Sequence, residues 1–210
     1  MSKQRLSLLC LLLCWLAGCS HWYKTDQLTP TQPNITDQPH PLHDQTWALQ
    51  GKLGVNVGGK RNSVFIDWKQ QGPSVNLILN GPAGRGLTRI ISNSQRHVQV
   101  ITAREKRSYP NIEDAIVSEI GWPFPVNQAK FWVTGRPDPA RWHREDSNTR
   151  KSRGIYHWIQ EDWRVEVQDI LILKQGHIAP KKIRFSYPAL ASKPDIILQL
   201  VVKKWQPHFQ

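Results

Sequence analysis

The chain has 210 residues, 39% of them hydrophobic, and a formal net charge of +12, which is long enough for one well-buried core. Its three cysteines, Cys10, Cys14 and Cys19, all lie within the first 19 residues, so the rest of the chain has neither a disulfide nor thiol chemistry. The positive charge favours an anionic partner, unless it serves solubility alone.

The first 18 residues have the features of a lipoprotein signal peptide. After a basic start, the apolar run from Leu6 to Ala17 is too short to span a bilayer as a helix. The order Leu16-Ala17-Gly18-Cys19 resembles the bacterial lipobox, in which the cysteine is lipidated and becomes the first mature residue. The alternative is an ordinary signal peptide with a chance cysteine. We expect a lipid on Cys19, and Ser20 after it resembles an outer-membrane address.

Residues 19–45 are predicted to be the lipidated N-terminus and a flexible tether, because they are polar and proline-rich. Residues 46–210 then form one folded domain. We expect a lipid-anchored protein of the outer membrane whose body faces the periplasm. Such a protein meets little nucleic acid, so we expect outer-membrane phospholipid or an acidic protein as its partner, and no nucleic acid.

Alternating apolar residues predict five strands in the first half of this domain. The first runs from Trp47 to Val57 and turns at Gly58-Gly59. Short turns between consecutive strands imply an antiparallel meander. The other four strands are marked by Val64, Ile66 and Trp68, by Val75, Leu77 and Leu79, by residues 87–91 and by residues 97–102.

Two short helices with one apolar face each are predicted next. Asn111 opens the first helix, and Gly121 ends it. The second is predicted to start at Asn127 as its N-cap, with Val126 and Phe131 in a hydrophobic staple. Neither helix would be stable alone, so both must cover a sheet.

A charged loop over residues 138–153 leads into the last predicted strands. These cover residues 155–160, 162–167, 170–173, 181–187 and 196–202. The predicted fold is therefore mainly β with a helical insertion. The simplest arrangement of these elements is an unclosed antiparallel β-barrel, or half-barrel, covered by the short α-helices as a lid.

The chain carries no convincing catalytic or cofactor motif. It has no nucleophile elbow, HExxH or P-loop. The glycine-rich loop Asn80–Gly86 precedes a strand rather than the helix N-terminus that would hold a phosphate. His97 and His157 have no metal-ligand partners at a useful spacing. We therefore predict no enzyme activity, no cofactor and no metal, and we expect a monomer.

The ten tryptophans are the unusual part of the composition. Most occupy predicted core positions. A half-barrel also has an interior that side chains or a ligand must fill, so some of them are candidates to line an apolar cavity. The residues alone leave both interpretations open.

Four segments of the chain resemble the LolB family of outer-membrane lipoprotein receptors. They are Phe65-Ile66-Asp67-Trp68, the loop after Leu79, residues 121–127 and residues 131–135. The resemblance implies a half-barrel whose cavity takes the acyl chains of lipid-modified client lipoproteins from LolA, a soluble periplasmic carrier. The chains are then released into the inner leaflet of the outer membrane without ATP.

The resemblance also implies which residues contact the acyl chains. By matching position, family tryptophans in or near the barrel and lid correspond to Trp68, Trp132, Trp163 and Trp205. Predicted apolar positions on the strands and helices add Leu77, Ile116 and Phe131 to the cavity candidates.

The family's protruding loop, Pro-Leu-Gly, has an exposed leucine that is tied to membrane insertion. Here the loop reads Pro82-Ala83-Gly84, and alanine would bury far less apolar surface than leucine. Either Ala83 suffices, or Leu87 shares the task, or Arg85 contacts anionic headgroups. The alternative is that the segment is merely a glycine-rich hairpin.

Two other functions compete with lipoprotein transfer. The first is a sensor or assembly lipoprotein that uses the same half-barrel for a different apolar ligand. The second is a glycan-active enzyme with tryptophans as sugar platforms, which would need a catalytic carboxylate pair. Asp67 and Glu166 are the carboxylates to test for that role, and neither lies in a convincing catalytic context.

Overall fold

Eleven strands and two helices make up the part of the chain that the computed structural model describes. That part comprises residues 46–81, 86–94, 97–145, 156–173, 178–189 and 194–207. The strands are β1 Thr46–Val57, β2 Lys60–Gln71, β3 Ser74–Asn80, β4 Thr88–Ser94, β5 His97–Thr102, β6 Lys106–Tyr109, β7 Arg144–Glu145, β8 Tyr156–Gln160, β9 Trp163–Ile172, β10 Ile178–Tyr187 and β11 Ile196–Pro207. The helices are α1 Ile112–Ile120 and α2 Val126–Trp132.

All the strands belong to one antiparallel sheet in the order β6-β5-β4-β3-β2-β1-β11-β10-β9-β8-β7. Strands that are consecutive in the chain are neighbours in the sheet, except β6 and β7, which form its two edges. The first and last strands pair along their length. The helices lie in the chain between the two edge strands, at the gap where the barrel does not close. The predicted half-barrel with a helical lid is therefore confirmed.

The sheet has two distinguishable ends. We call the end that holds the Gly58-Gly59 turn the upper end, and the end where β1 begins the lower end. Both glycines have positive φ, 54° and 84°, which is the backbone of the tight hairpin predicted at this point. The β3–β4 and β8–β9 connections also lie at the upper end, whereas the β9–β10 connection lies at the lower end.

Strand prediction was wrong in three places. The edge strands β6 and β7 were not predicted, because their charged residues lack apolar alternation, as is common where an edge must resist pairing with other chains. The two strands predicted over residues 162–167 and 170–173 form the single strand β9. The apparent break coincides with a register irregularity where Lys182 of β10 pairs with Asp169.

The caps of α1 agree with the prediction, whereas those of α2 do not. The Oδ1 of Asn111 accepts a hydrogen bond from the backbone N–H of Asp114 at 2.8 Å, and Gly121 ends α1 with a φ of 86°. Asn127 is not the N-cap of α2, since that position is held by Pro125 without a side-chain hydrogen bond. Asn127 lies inside the helix, and its Nδ2 donates to Glu113 at 2.8 Å, which joins the two helices.

The lower end of the concave face is filled by aromatic rings. The ring of Trp47 packs against Trp68 and Trp205, with centroids 5.2 and 5.6 Å apart. Further along β1, the inward side chains Leu53, Val55 and Val57 are only partly buried. The core is therefore dense at the lower end and looser at the upper end.

Gly51 is required where β1 meets β11, and we expect Gly51→Ala to destabilise the fold by about 1–3 kcal/mol. A Cβ there would lie 2.5 Å from the carbonyl oxygen of Val201, at a register irregularity in the β1–β11 ladder. Gly54 is the matched control, because its Cβ would meet nothing closer than 3.7 Å. We expect Gly54→Ala to stay within about 1 kcal/mol of wild type. Urea unfolding of both variants checks this, and equal stabilities would refute it.

Candidate functional site

An apolar cavity of about 370 Å³ lies under α1 at the upper end of the half-barrel. Strands β1, β2 and β3 form its floor, and α1 with the connector after it forms its roof. Its apolar lining residues are Leu53, Val55, Val64, Ile66, Trp68, Leu77, Leu79, Ile116, Ile120, Trp122 and Phe124. A cavity of this lining suits a hydrocarbon ligand.

The connector between the helices is anchored by aromatic packing. The ring of Phe124 meets Trp163 and Phe185 edge-on, at centroid distances of 5.6 and 5.8 Å. Trp122 packs against Phe124 on the other side, at 6.2 Å. Phe124 thus ties the roof of the cavity to β9 and β10, and holds Trp122 over the space below.

A second cavity of about 290 Å³ lies beyond Trp122. Its lining includes Val57, Val117, Tyr187 and Ile196. Because Trp122 lines both cavities, its indole separates two apolar spaces at the upper end of the sheet.

The C-terminal end of α1 is held to the edge strand β6 by polar contacts. The carboxylate of Glu119 accepts hydrogen bonds from the hydroxyl of Tyr109 at 2.6 Å and from Arg107 at 3.1 Å. These contacts, together with the 2.9 Å hydrogen bond between the Tyr109 and Ser118 hydroxyls, hold this part of the roof to β6. A short helix that covers a cavity is an element of low local stability, and such elements open most readily in folded proteins.

The sequence-predicted cavity residues divide into three groups. Trp68, Leu77 and Ile116 line the cavity. Trp132, Trp163 and Trp205 are buried in the core and are not among its lining residues. Phe131 lines a separate, more polar cleft on the other side of α2.

Sequence reasoning missed several lining residues. The inward residues Leu53 and Val55 followed the predicted alternation of β1 but were not recognised as partly exposed. Trp122 and Phe124 lie inside the segment that carried the family resemblance, so that segment itself was the signal that pointed to them.

Described residues on either side of the sequence-predicted insertion loop, Leu79 and Gly86, line the cavity. Pro82, Ala83, Gly84 and Arg85 lie outside the described residues, as does Cys19. Gly86, where the chain is described again, lines the cavity. Leu87 follows it and is 46% exposed. An exposed leucine thus sits beside the mouth of an apolar cavity.

Gln160 at the end of β8 holds the segment after α2 in place. Its Oε1 accepts hydrogen bonds from the indole of Trp132 at 2.7 Å and from the backbone N–H of Asp138 at 2.9 Å. Its Nε2 donates to the carbonyls of Asp138 and Arg141 at 3.0 and 3.1 Å. The side chain is fully buried, and these four bonds use its whole hydrogen-bonding capacity.

Tyr156 makes a second tie to the same segment. Its hydroxyl donates to the carbonyl of Gly135 at 2.8 Å. Burial raises the pKa of Tyr156 above its ordinary value, because the phenolate would lose its hydration. The hydroxyl therefore remains a neutral donor over the physiological range.

The carboxylates considered for a glycan-active enzyme do not form a pair. Asp67 on β2 and Glu166 on β9 are four strands apart in the sheet order. Asp67 accepts a hydrogen bond from Gln50 at 2.8 Å, and Glu166 accepts one from Gln168 at 3.3 Å. Asp67 alternates with the inward residues Ile66 and Trp68, so it faces away from the cavity. This arrangement lacks the facing carboxylates that glycoside hydrolysis needs.

A protein-family model for the outer membrane lipoprotein LolB matches residues 45–205. The chain belongs to the LolB family. The matched range contains both helices and nearly the whole sheet, so the resemblance found in the sequence is confirmed. Within the described residues, neither helix is long and apolar enough to cross a membrane.

Relatives named outer-membrane lipoprotein LolB match nearly the full chain. The one from Stutzerimonas stutzeri is 27% identical and covers 92% of this chain and 91% of its own length. The one from Nitrosococcus oceani is 25% identical, with 96% and 97% covered. A solved LolA superfamily protein from Nitrosomonas europaea aligns with a TM-score of 0.47 and 8% identity, over 80% of this chain and 88% of that one.

Proposed function

We propose that this LolB-family protein accepts lipoproteins from a periplasmic LolA-like carrier and inserts them into the inner leaflet of the outer membrane. A lipid on Cys19 anchors it there, with its body in the periplasm. The apolar cavity under α1 is the observation that supports this proposal most directly. It offers a hydrocarbon-lined space in a member of a family of outer membrane lipoproteins.

Transfer needs no bond chemistry in this proposal. Each methylene that leaves water is stabilised by roughly 0.8 kcal/mol, so acyl chains move toward whichever apolar environment holds them best. The cavity must bind them more tightly than the carrier does, and the bilayer more tightly than the cavity. The end of α1 near Glu119, which covers the cavity, would move to admit the chains.

The positive charge of this chain would attract an acidic carrier. Without Lys3 and Arg5 of the signal peptide, the net charge of +12 falls to +10, which favours association with an acidic partner and mainly raises the rate of encounter. This part of the proposal predicts that transfer slows as salt is added.

A transfer assay tests the proposal as a whole. The chain from residue 19 onward, carrying Cys19→Ala to prevent lipidation, is mixed with carrier loaded with a lipid-modified protein. We expect the lipid-modified protein to move from the carrier to this chain, which affinity purification through a tag would show. If the cargo stays on the carrier, the proposal is wrong.

Leu87 is proposed to contact the membrane, together with the loop residues Pro82, Ala83, Gly84 and Arg85. We expect Leu87→Asp to accept cargo normally but to release it into vesicles at least about tenfold more slowly, because a charge resists burial among lipids. Ile172 provides the control, since it is exposed and apolar but lies at the lower end of the sheet. Equal release by the Leu87→Asp and Ile172→Asp variants would exclude this role.

A further inference from the structure

Trp142 is the most exposed large hydrophobic residue in the part of the chain that the structure describes. Its side chain is 79% exposed, although tryptophan is usually well buried. The residue before it is firmly held. The carbonyl of Arg141 accepts a hydrogen bond from Gln160, and its guanidinium pairs with Glu161 at 2.7 Å. Trp142 is therefore exposed on a backbone segment that contacts with Gln160 and Glu161 hold in place.

The register of the sheet places Trp142 at the upper end. Arg144 pairs with Ile159 near the end of β8, and Gln160 pairs with Trp163 across the β8–β9 turn. The ring of Trp163 meets Tyr187 at 5.3 Å, and Tyr187 pairs with Ile196 at the upper end of β11. Trp142 thus lies at the same end as Leu87 and the cavity, next to the β7 edge of the gap, whereas Leu87 lies on the β3–β4 side.

The surroundings of Trp142 are charged rather than apolar. The exposed Arg141 and the half-buried His143 flank it, and the exposed Arg144 and Glu145 follow. Of the other exposed large hydrophobic residues in the described part of the chain, Phe65 and Leu87 lie on the β2–β4 side, Val117 lies on α1 and Ile172 lies at the lower end of the sheet. Within the described residues, the sequence neighbours of this indole are charged rather than apolar, so they do not form the contiguous apolar core of a stable protein–protein interface. Such an indole suits the headgroup region of a bilayer, where tryptophan is enriched and arginine meets anionic lipid.

We propose that Trp142 is a membrane-contact residue that places its indole among phospholipid headgroups, on the side of the cavity mouth opposite Leu87. Two separated contacts would set the tilt of the half-barrel and hold the mouth against the bilayer. The inference depends on the proposed function only in taking the bilayer as the destination of the cargo.

Vesicle binding tests this inference in the chain from residue 19 onward with Cys19→Ala. The probe is a vesicle of phosphatidylethanolamine and phosphatidylglycerol, and flotation measures the bound fraction. We expect Trp142→Ala to weaken binding about tenfold, which requires burial of only about 60 Å² of the roughly 150–250 Å² that a tryptophan carries. Ile172→Ala, which removes a 77% exposed side chain at the lower end, should bind as the parent does. Equal binding by the Trp142→Ala variant and the parent would overturn the inference.

A label at the same position gives an independent measurement. Cys10, Cys14 and Cys19 are the only cysteines in the sequence, so Trp142→Cys supplies the sole thiol of this chain. An environment-sensitive fluorophore on it should shift to the blue when vesicles are added, whereas the same label on Ile172→Cys should not. No shift at residue 142, or a shift produced by the carrier and not by vesicles, contradicts the inference.

Acceptance of cargo separates this inference from the proposed function. Trp142→Ala should take lipid-modified protein from the carrier as well as the parent does, because the side chain does not line the cavity. Should the parent accept no cargo yet lose vesicle binding on Trp142→Ala, the proposed function would fail and the membrane contact would stand. If acceptance falls while vesicle binding is kept, Trp142 serves the carrier and the inference is wrong.

Discussion

Gln160→Leu is expected to lower the free energy of unfolding by about 3–5 kcal/mol. Leucine has similar bulk but would leave the Trp132 indole N–H, the Asp138 N–H and two carbonyls without the partner they have now. Each buried polar group left unpaired costs about 1–3 kcal/mol, and water can recover only part of this loss. Urea unfolding monitored by circular dichroism measures the effect.

Two comparisons make the Gln160 prediction specific. Gln99→Leu changes an exposed glutamine on β5 and should alter the stability by only about 0.5 kcal/mol. Trp132→Phe removes one donor of the same network, so its effect should not add to that of Gln160→Leu in the double variant. A loss below about 1 kcal/mol for Gln160→Leu would show that the four hydrogen bonds contribute little to stability.

Leu79→Asp is expected to weaken acyl-chain binding at least about tenfold, which corresponds to about 1.4 kcal/mol. Leu79 lines the cavity from β3, and an unpaired carboxylate beside a hydrocarbon chain loses hydration without gaining a partner. Transfer of lipid-modified protein from the carrier, measured against the concentration of this chain, reports the affinity.

Ile78 provides a matched control for the Leu79 prediction. It is the preceding residue of the same strand, is also half-buried, and points to the opposite face of the sheet because side chains alternate along a strand. Ile78→Asp should therefore leave acyl-chain binding nearly unchanged. Unchanged binding by the Leu79→Asp variant would show that the cavity under α1 is not the binding site, and an equal loss in both variants would contradict the predicted difference between the two faces of β3.

The general fold could be predicted because its signals are local. Alternation along β1 to β3, the Gly58-Gly59 turn and the caps of α1 each depend on a few neighbouring residues. The predictions were wrong where contacts with residues distant in the sequence determine the local structure. Asn127 is a good N-cap by type, but Glu113 takes its side chain and Pro125 begins the helix instead.

The cavity was only partly predictable for a related reason. Trp68 and Trp132 look alike in the sequence, since each lies on the apolar side of its element. Whether a ring packs in the core or lines a free space depends on which segment covers it. Trp132 stacks on Phe185 at 6.1 Å, whereas Trp68 reaches the space beneath Ile116. No local pattern distinguishes these two situations.

The pairing of the first strand with the last has a consequence for how the protein folds. β1 lies in the middle of the sheet, yet one of its two neighbours, β11, begins only at Ile196. Contacts between segments so far apart in the chain form slowly. Until the final residues emerge, β1 exposes one row of unpaired backbone groups, which is a template for aggregation. A chain that stops before Ile196 would keep that open edge permanently, so the last strand completes the sheet and also protects the first.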